Sequence, residues 1–521
     1  MKKIIRFNIL VVLLGLVMLP SCDMNKLPYN SIPSIVTSVS DAEGLRVAMY
    51  SRMKGLTAGQ SMLYPDYQAD MFAVPADYGN FFADFYRWQM NDGSGDVSSL
   101  WSALYAYISN ANFLIQGIDD LKESSNAILS ADDIKKLDLI YGEAHFYRAF
   151  YYYKLAQLFC QDYDAATATQ AHTGVMMVTK PFHSPNDFLP RGTLQELMDL
   201  ILDDLRIAES NINVEGKANS YYITSDIVKA FQARIALSMK DYPKAASLAT
   251  SIISSGRYEL ALDRETFKGM WTMDDGVDGT TAAFDGKIYT KASKELLWVI
   301  QVTDLNDGDQ QPGRYFAAFR DGENLVPQFL PNMTLLNSYD QTNDIRFDAF
   351  FARKTLNIEN IGTEVLYFFW KYPGNPKLQN ATYSLYKHKG KPFRLAELYL
   401  IAAEAYYYAN NTTEANSMLN ALRSKRIEGW QNMTYGGVGL FNEIQLERTR
   451  ELCGEGFRLW DLRRWKQGFT RGATQEDYMF MFGDGYSNHS VQTGDYRFIW
   501  PIPKTETDQN TQLKDQQNPG Y

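Results

Sequence analysis

The chain has 521 residues, of which 45% are hydrophobic and 21% are charged. This composition is typical of a globular protein and excludes an intrinsically disordered one. The formal net charge is −10, and no basic stripe is present, which argues against nucleic acid as a partner because an acidic protein repels phosphate backbones.

The first 21 residues have the pattern of a signal peptide. Basic residues stand near the start, and an apolar run over 9–19 follows that is too short to span a bilayer as a helix. The run leads into Leu19-Pro20-Ser21-Cys22, which is similar to a bacterial lipobox. We therefore predict that Cys22 is lipidated and anchors the protein to a membrane. The polar, proline-containing stretch 22–40 is predicted to be a tether.

Eight segments after the tether repeat apolar residues at helical spacing. The predicted helices are 41–54, 98–121, 134–159, 193–210, 225–239, 242–254, 393–408 and 413–426. The last four form two pairs, each about the size of a tetratricopeptide unit, although the spacing between the pairs is irregular. The predicted fold class is therefore mainly α, a divergent tetratricopeptide-like helical-repeat scaffold.

A loop-rich, irregular part interrupts this scaffold. It is rich in Gly, Asp, Asn and aromatic residues, and its one predicted strand is 295–302. Recognition in such proteins is usually carried by loops on a rigid scaffold, so we assign ligand binding to this part. The prediction is a single domain at 41–521, with the scaffold at 41–259 and 392–470 and the irregular part at 260–391 and 471–521. Trp101, Phe267 and Trp298 are predicted to be core residues.

No motif of catalytic chemistry is present. The five His do not form His-Glu-x-x-His, and neither a Gly-x-Ser-x-Gly elbow nor a P-loop occurs. We therefore predict a protein that is not an enzyme and uses no cofactor. Asp92-x-Ser94-x-Asp96 has spaced oxygen ligands but does not continue into a calcium loop, so we interpret it as a solvated turn. Cys160 and Cys453 are predicted to be buried core residues.

Ordered signatures in the C-terminal third resemble those of one known family. They are RLAELYL at 394–400, EGFR at 455–458, DLRRW at 461–465, WPIP at 500–503 and QNPGY at 517–521. With the lipobox, they are similar to the SusD/RagB group of nutrient-binding outer-membrane lipoproteins. The charged residues of this region alternate in sign over a short span, so we expect Arg–carboxylate pairs that stabilise the fold and not an anion site.

The resemblance implies a mostly helical fold built on four tetratricopeptide-like units. It also implies a location at the outer membrane, facing the cell surface. The implied partner is a TonB-dependent, SusC-like barrel transporter, over which the lipoprotein acts as a lid. The implied ligand is a nutrient glycan, held by the irregular part.

Sugars stack their C–H faces on aromatic rings while polar groups bind their hydroxyls, so we searched the loops for such residues. Three stretches qualify: 66–95, 270–289 and 304–321. The predicted ligand-binding residues are Asp70, Tyr78, Phe82, Tyr86, Arg87, Trp88, Trp271, Arg314, Tyr315 and Phe319.

Two alternatives remain open from the sequence. The chain could be a helical-repeat lipoprotein whose concave face binds another protein and which has no sugar site. It could also be a lid for a peptide or glycoprotein cargo. Aromatic residues exposed in surface loops would favour the glycan hypothesis, whereas burial of those residues would favour the interaction protein.

Overall fold

The structure is a computed structural model, which describes residues 36–181, 188–272, 293–302, 312–316, 318–320, 324–373, 387–486 and 489–521. The predicted signal peptide, Cys22 and most of the tether lie outside these ranges. Among the described residues, no helix combines the length and the apolar character that a membrane span requires.

Each of the eight predicted helices is present, and eight further helices occur within the described ranges. In chain order they are α1 (Val39–Ala58), α2 (Gln60–Gln68), α3 (Ala83–Tyr86), α4 (Gly95–Glu123), α5 (Ala131–Phe159), α6 (Leu194–Asn211), α7 (Ser225–Ser238), α8 (Tyr242–Ile253), α9 (Arg264–Thr272), α10 (Met333–Asn337), α11 (Phe347–Phe350), α12 (Leu395–Tyr408), α13 (Thr412–Arg423), α14 (Gly437–Glu451), α15 (Arg458–Arg464) and α16 (Lys504–Gln509).

Local sequence fixes where the scaffold helices begin. Ser130 and Asp133 form a reciprocal capping box at the start of α5, and Thr193 and Glu196 form another at α6. Pro243 occupies the first turn of α8, where its missing N–H costs nothing. The helices then pack as consecutive pairs: α4 with α5, α5 with α6, α7 with α8, and α12 with both α8 and α13. The predicted helical-repeat scaffold is confirmed.

The strands of the described ranges form short two-stranded sheets. They are β1 (Phe72–Ala73), β2 (Leu296–Ile300), β3 (Ala318–Arg320), β4 (Asn324–Val326), β5 (Leu330–Pro331), β6 (Phe351–Ile358), β7 (Gly362–Phe369), β8 (Gly390–Arg394), β9 (Phe469–Thr470) and β10 (Ser490–Val491). The pairs are β1 with β5, β2 with β8, β3 with β4, β6 with β7, and β9 with β10, all antiparallel.

The irregular part contains more regular structure than its composition indicates. The hairpin of β6 and β7 keeps an unbroken register from Phe351↔Phe369 to Ile358↔Gly362, and its turn uses Asn360 at φ 62°. The helix predicted from 393 starts instead at Leu395, because the preceding residues pair with the predicted strand β2.

One large core joins the scaffold to the irregular part. Trp298 of β2 meets Phe146 of α5 edge-on at 5.7 Å and stacks on Phe393 of β8 at 6.3 Å between ring centroids. Trp298, Phe267 and Trp101 are buried, as predicted. Cys160 and Cys453 are also buried, and neither is in a disulfide.

Candidate functional site

Three loop stretches meet on one side of the molecule, at 77–89, 312–316 and 478–486, and we call them the aromatic loop face. Backbone hydrogen bonds join the residues just before the first stretch to the third, from Ala76 N to Met479 O at 3.0 Å and from Met481 N to Val74 O at 3.0 Å. The second stretch joins through Tyr315, whose ring centroid lies 5.4 Å from that of Phe81. Seven of the ten predicted ligand-binding residues lie in these stretches: Tyr78, Phe82, Tyr86, Arg87, Trp88, Arg314 and Tyr315.

The backbone of the first stretch is strained. Asn80, Phe82 and Trp88 adopt left-handed conformations, with φ of 55°, 53° and 58°. Each such non-glycine residue costs about 1–2 kcal/mol, so the surrounding packing must hold these conformations in place. Strain of this kind is concentrated at binding and active sites, which adds weight to the loop face as a site.

The surface of the loop face carries both apolar and polar groups. Phe482 is 79% exposed, an unusual position for a large aromatic side chain. Arg314 is exposed and Arg87 is half-buried. Within the part of the chain that the structure describes, neither guanidinium group forms an ion pair, and Arg87 lies 5.8 Å from the Tyr486 ring centroid. Arg87 Nε donates to Ala83 O at 3.5 Å, which leaves the terminal N–H groups of Arg87 and the guanidinium of Arg314 available to a ligand.

Buried aromatics form the base of the loop face. The hydroxyls of Tyr78 and Tyr486 lie 3.2 Å apart within hydrogen-bond distance, and burial followed by this bond raises the pKa of Tyr78. Phe82 stacks on Tyr67 at 5.6 Å and is only 7% exposed. Tyr315 is similarly enclosed. These rings set the shape of the site from below and offer little of their own surface.

The structure gives three of the predicted ligand contacts a structural role instead. Trp88 is 1% exposed, and its indole N–H donates to Gln68 O at 2.7 Å. Tyr86 is buried, with the Arg471 guanidinium 3.6 Å from its ring centroid. The Asp70 carboxylate is occupied by a two-fold hydrogen bond from Arg458. The predicted ligand contact is therefore wrong for these three residues, because the indole N–H, the Tyr86 ring face and the Asp70 carboxylate already have partners inside the protein.

Trp271 does not belong to the loop face. It lines a separate cavity of about 50 Å³ with Lys154 and His388, and its ring stacks near His388 at 6.4 Å. Phe319 lies on β3, but its side chain is outside the described residues, as is most of the predicted stretch 270–289. The ligand contacts predicted for Trp271, for Phe319 and for the stretch 270–289 therefore remain predictions.

Sequence reasoning missed the most exposed aromatic of the site. Phe482 and Tyr486 lie in the tail 471–521, for which the sequence predicts an irregular structure and no ligand contact. The signal was available, since aromatic and glycine residues are dense in YMFMFGDGY at 478–486. Alternation of exposed and buried positions could not be assigned there without the pairing to Val74 and Ala76.

The charged family signatures form a buried ion-pair network, as predicted. Arg394 bonds Glu295 at 2.8 Å and Glu451 at 2.9 Å, and Arg426 bonds the same two carboxylates. Burial alone would raise the pKa of Glu447, but Arg346 and Arg423 outweigh it and hold the pKa at about 2. These carboxylates therefore stabilise the fold through their arginine partners and do not form a ligand site.

The described residues offer no metal centre: no three His, Cys, Asp or Glu side chains among them converge on one point. At the calcium-like turn, the Ser94 hydroxyl instead accepts the backbone N–H of Asn91 at 3.1 Å.

The fold and these signatures agree with the comparisons to known proteins. Residues 213–521 match the SusD family, and residues 25–237 match a family described as "Starch-binding associating with outer membrane". The chain belongs to the SusD family.

Among its relatives is SusD-like protein P38 of Formosa agariphila, which is 25% identical over 503 residues, covering 89% of this chain and 92% of the relative. A SusD superfamily protein from Bacteroides thetaiotaomicron has a similar crystal structure, with a TM-score of 0.74, 23% identity and coverage of 92% and 100%. A SusD-like carbohydrate binding protein from Bacteroides vulgatus is similar with a TM-score of 0.70, 18% identity and coverage of 92% and 98%.

Proposed function

We propose that this protein captures a nutrient glycan at the aromatic loop face and delivers it to a TonB-dependent, SusC-like outer-membrane transporter. The observation that carries the proposal is that the three stretches of the loop face together hold the exposed ring of Phe482 and two guanidinium groups, those of Arg87 and Arg314, that have no ion-pair partner among the described residues. A sugar needs this combination of an apolar face and hydrogen-bond donors. The carbohydrate-binding relative with the same fold supports it.

The proposed location is the outer membrane, with the chain anchored through a lipid on Cys22. The match of residues 25–237 to a family associated with that membrane supports the location. The lipobox supports the anchor, and the family resemblance supports the transporter as partner.

The proposed role includes no catalysis. A glycosidase would need two carboxyl groups in defined roles, one of them able to hold a proton. The buried carboxylates of Glu295 and Glu451, near the family signatures, are instead neutralised by Arg394 and Arg426. The relatives named as binding proteins support the same conclusion.

Titration calorimetry of the mature chain from Asp23 against a panel of polysaccharides tests the proposal. We expect saturable binding to one glycan class, weakened about tenfold or more in Phe482→Ala and in Arg87→Ala. Tyr222→Ala is the matched control, because Tyr222 is 55% exposed but lies on the helical scaffold. Equal binding by all three variants would reject the loop face as the site.

A second candidate function has one observation in its favour. Most of the predicted loop aromatics, including Trp88, Tyr86 and Tyr315, are buried, as expected for a protein that binds another protein or a peptide cargo. Absence of heat with every glycan, together with co-purification of a barrel protein, would favour this candidate over glycan capture.

A further inference from the structure

A cleft of about 470 Å³ is lined by no residue of the three loop stretches of the aromatic loop face. It is bounded by the residues after α5, by Lys240 between α7 and α8, by the end of α15, and by the stretch 493–499. Its volume is in the range of small-ligand sites, which is roughly 300–1,000 Å³.

Tyr496 forms the aromatic wall of the cleft. Its side chain is 43% exposed, while Gly520 packs against the ring so closely that any side chain there would collide with it. The Tyr521 ring meets Tyr496 edge-on at 5.0 Å, and the Tyr521 hydroxyl donates to Ile499 O at 3.0 Å. The C-terminus therefore holds the Tyr496 ring in place and leaves part of it open.

Charged groups of both signs line the cleft and form loose ion pairs with one another. Lys240 Nζ lies 3.9 Å from the Asp162 carboxylate and 3.7 Å from that of Asp164, and Lys466 Nζ lies 3.6 Å from Asp164. These separations exceed a hydrogen bond, so the groups retain capacity for hydroxyls or water between them. The lining holds three acids (Asp162, Asp164 and Asp495) and three cations (Lys240, Arg463 and Lys466) and so has no net charge, which disfavours both anions and cations.

The floor of the cleft is rigid. The Arg463 guanidinium donates to the carbonyl oxygens of Gln157 at 2.8 Å, Cys160 at 3.2 Å and Phe498 at 3.4 Å. Because these carbonyls belong to α5, its end and the tail, Arg463 fixes the two sides of the cleft relative to each other. A preformed site of this kind loses little entropy on binding.

We infer that this cleft is a second carbohydrate site, which takes a neutral sugar of about disaccharide size. A pyranose ring stacks on Tyr496, and its hydroxyls donate to Asp162 and accept from Lys466. The inference goes beyond the proposed function of the aromatic loop face and does not depend on it. It gives the protein two separate points of attachment for one long glycan.

Saturation-transfer NMR titrations of the mature chain test this site, with maltose, cellobiose, lactose and xylobiose as probes. The background is Phe482→Ala, which removes the exposed ring of the loop face. In that background we expect at least one probe to bind, and Tyr496→Ala to weaken its binding roughly fivefold to tenfold. Lys466→Ala and Asp162→Asn are expected to weaken the same probe.

The matched control in this background is Tyr222→Ala, which is expected to leave the dissociation constant unchanged. Two results would overturn the inference: no signal from any of the four sugars, or identical binding with and without the Tyr496 ring. Failure of the loop-face proposal has a different signature, since Phe482→Ala would then bind polymeric glycans as well as the wild-type chain does.

Discussion

The Arg458 guanidinium donates two hydrogen bonds to the Asp70 carboxylate, from Nε at 2.8 Å and from Nη2 at 2.7 Å. Arg458 opens α15 within a family signature, and Asp70 stands just before β1, where the chain enters the aromatic loop face. The pair therefore connects the start of α15 to the loops that we propose bind a ligand.

Breaking this pair is expected to destabilise the protein. Arg458→Gln leaves the largely buried Asp70 carboxylate without its counter-charge, so the free energy of unfolding should fall by about 3 kcal/mol. Urea denaturation followed by circular dichroism measures the change. The control is Lys504→Gln, which removes an exposed pair with Asp508 and should cost less than about 1 kcal/mol. Equal effects of the two substitutions would contradict the structural role of Arg458.

The protein is expected to lose stability in acid. Burial raises the pKa of buried carboxyls, but arginine partners lower that of Glu447 to about 2 and also lower those of Glu451 and Glu455. A carboxyl whose pKa is lower in the folded state stabilises it fully above the unfolded value of about 4.5. The unfolding free energy should therefore fall as the pH drops from about 4.5 towards 2, measured as the urea midpoint at successive pH values. A midpoint that stays constant across this window would contradict the assignment.

Lys154 is expected to destabilise the protein at neutral pH. It is half-buried in the cavity beside Trp271 and forms no ion pair with the described residues, and burial followed by repulsion from Arg234 lowers its pKa to about 8. Below pH 8 the folded state bears the full cost of the buried charge, which disappears as the pH rises towards the unfolded pKa of about 10.5.

Lys154→Met should consequently stabilise the protein by roughly 1–3 kcal/mol at pH 7, with a gain that shrinks towards pH 10.5. Differential scanning calorimetry of the wild type and the variant from pH 7 to 10.5 measures the difference in their stability. Lys135→Met serves as the control, since the Lys135 side chain is 78% exposed and its loss should give no pH-dependent gain.

Trp88 and Phe482 are expected to respond oppositely to substitution. Trp88→Ala removes a buried indole and its hydrogen bond to Gln68, and should cost about 3–5 kcal/mol of unfolding free energy. Phe482→Ala should change stability by less than about 0.5 kcal/mol because the ring is exposed, yet weaken glycan binding. Denaturation and calorimetry on the same two variants separate the roles. If Trp88→Ala were as stable as the wild type but bound glycan more weakly, Trp88 would be a ligand contact and its structural assignment would be wrong.

Cys22→Ser is expected to abolish lipidation. The protein should then move from the membrane fraction to the soluble fraction, and from the detergent phase to the aqueous phase on Triton X-114 partition, because the acyl chains supply the attachment. Radiolabelled palmitate incorporation measures the modification directly. A substituted chain that still labels and sediments with membranes would show that another residue carries the anchor.

The helical scaffold was predictable from sequence because each helix has its own period and its own caps. Thr193 and Glu196, for example, specify the start of α6 within four residues of chain. The β6–β7 hairpin was not predictable in the same way. Its alternation is broken by the adjacent aromatics Phe368 and Phe369 at the end of β7, which are buried against different neighbours, so no single period appears.

The location of the site was partly predictable, whereas the residues at its surface were not. Composition alone indicated the stretch containing Tyr78 and Arg87. The exposure of a loop aromatic depends on contacts from distant parts of the chain: Trp88 is covered by Phe469 and Phe498, at ring centroid distances of 5.7 and 4.9 Å. No local property of the sequence distinguishes Trp88 from Phe482.

The network of Glu295, Arg394, Arg426 and Glu451 also constrains when the protein can fold. Glu295 stands just before β2, Arg394 ends β8, Arg426 lies in the turn after α13, and Glu451 ends α14, so the members are up to 156 residues apart, from 295 to 451. An emerging chain that has not yet supplied Glu451 has arginines that cannot be enclosed without their counter-charge. The native core is therefore expected to form only after the C-terminal third has been synthesised. A chain terminated before Glu451 should remain partly unfolded and be degraded by proteases.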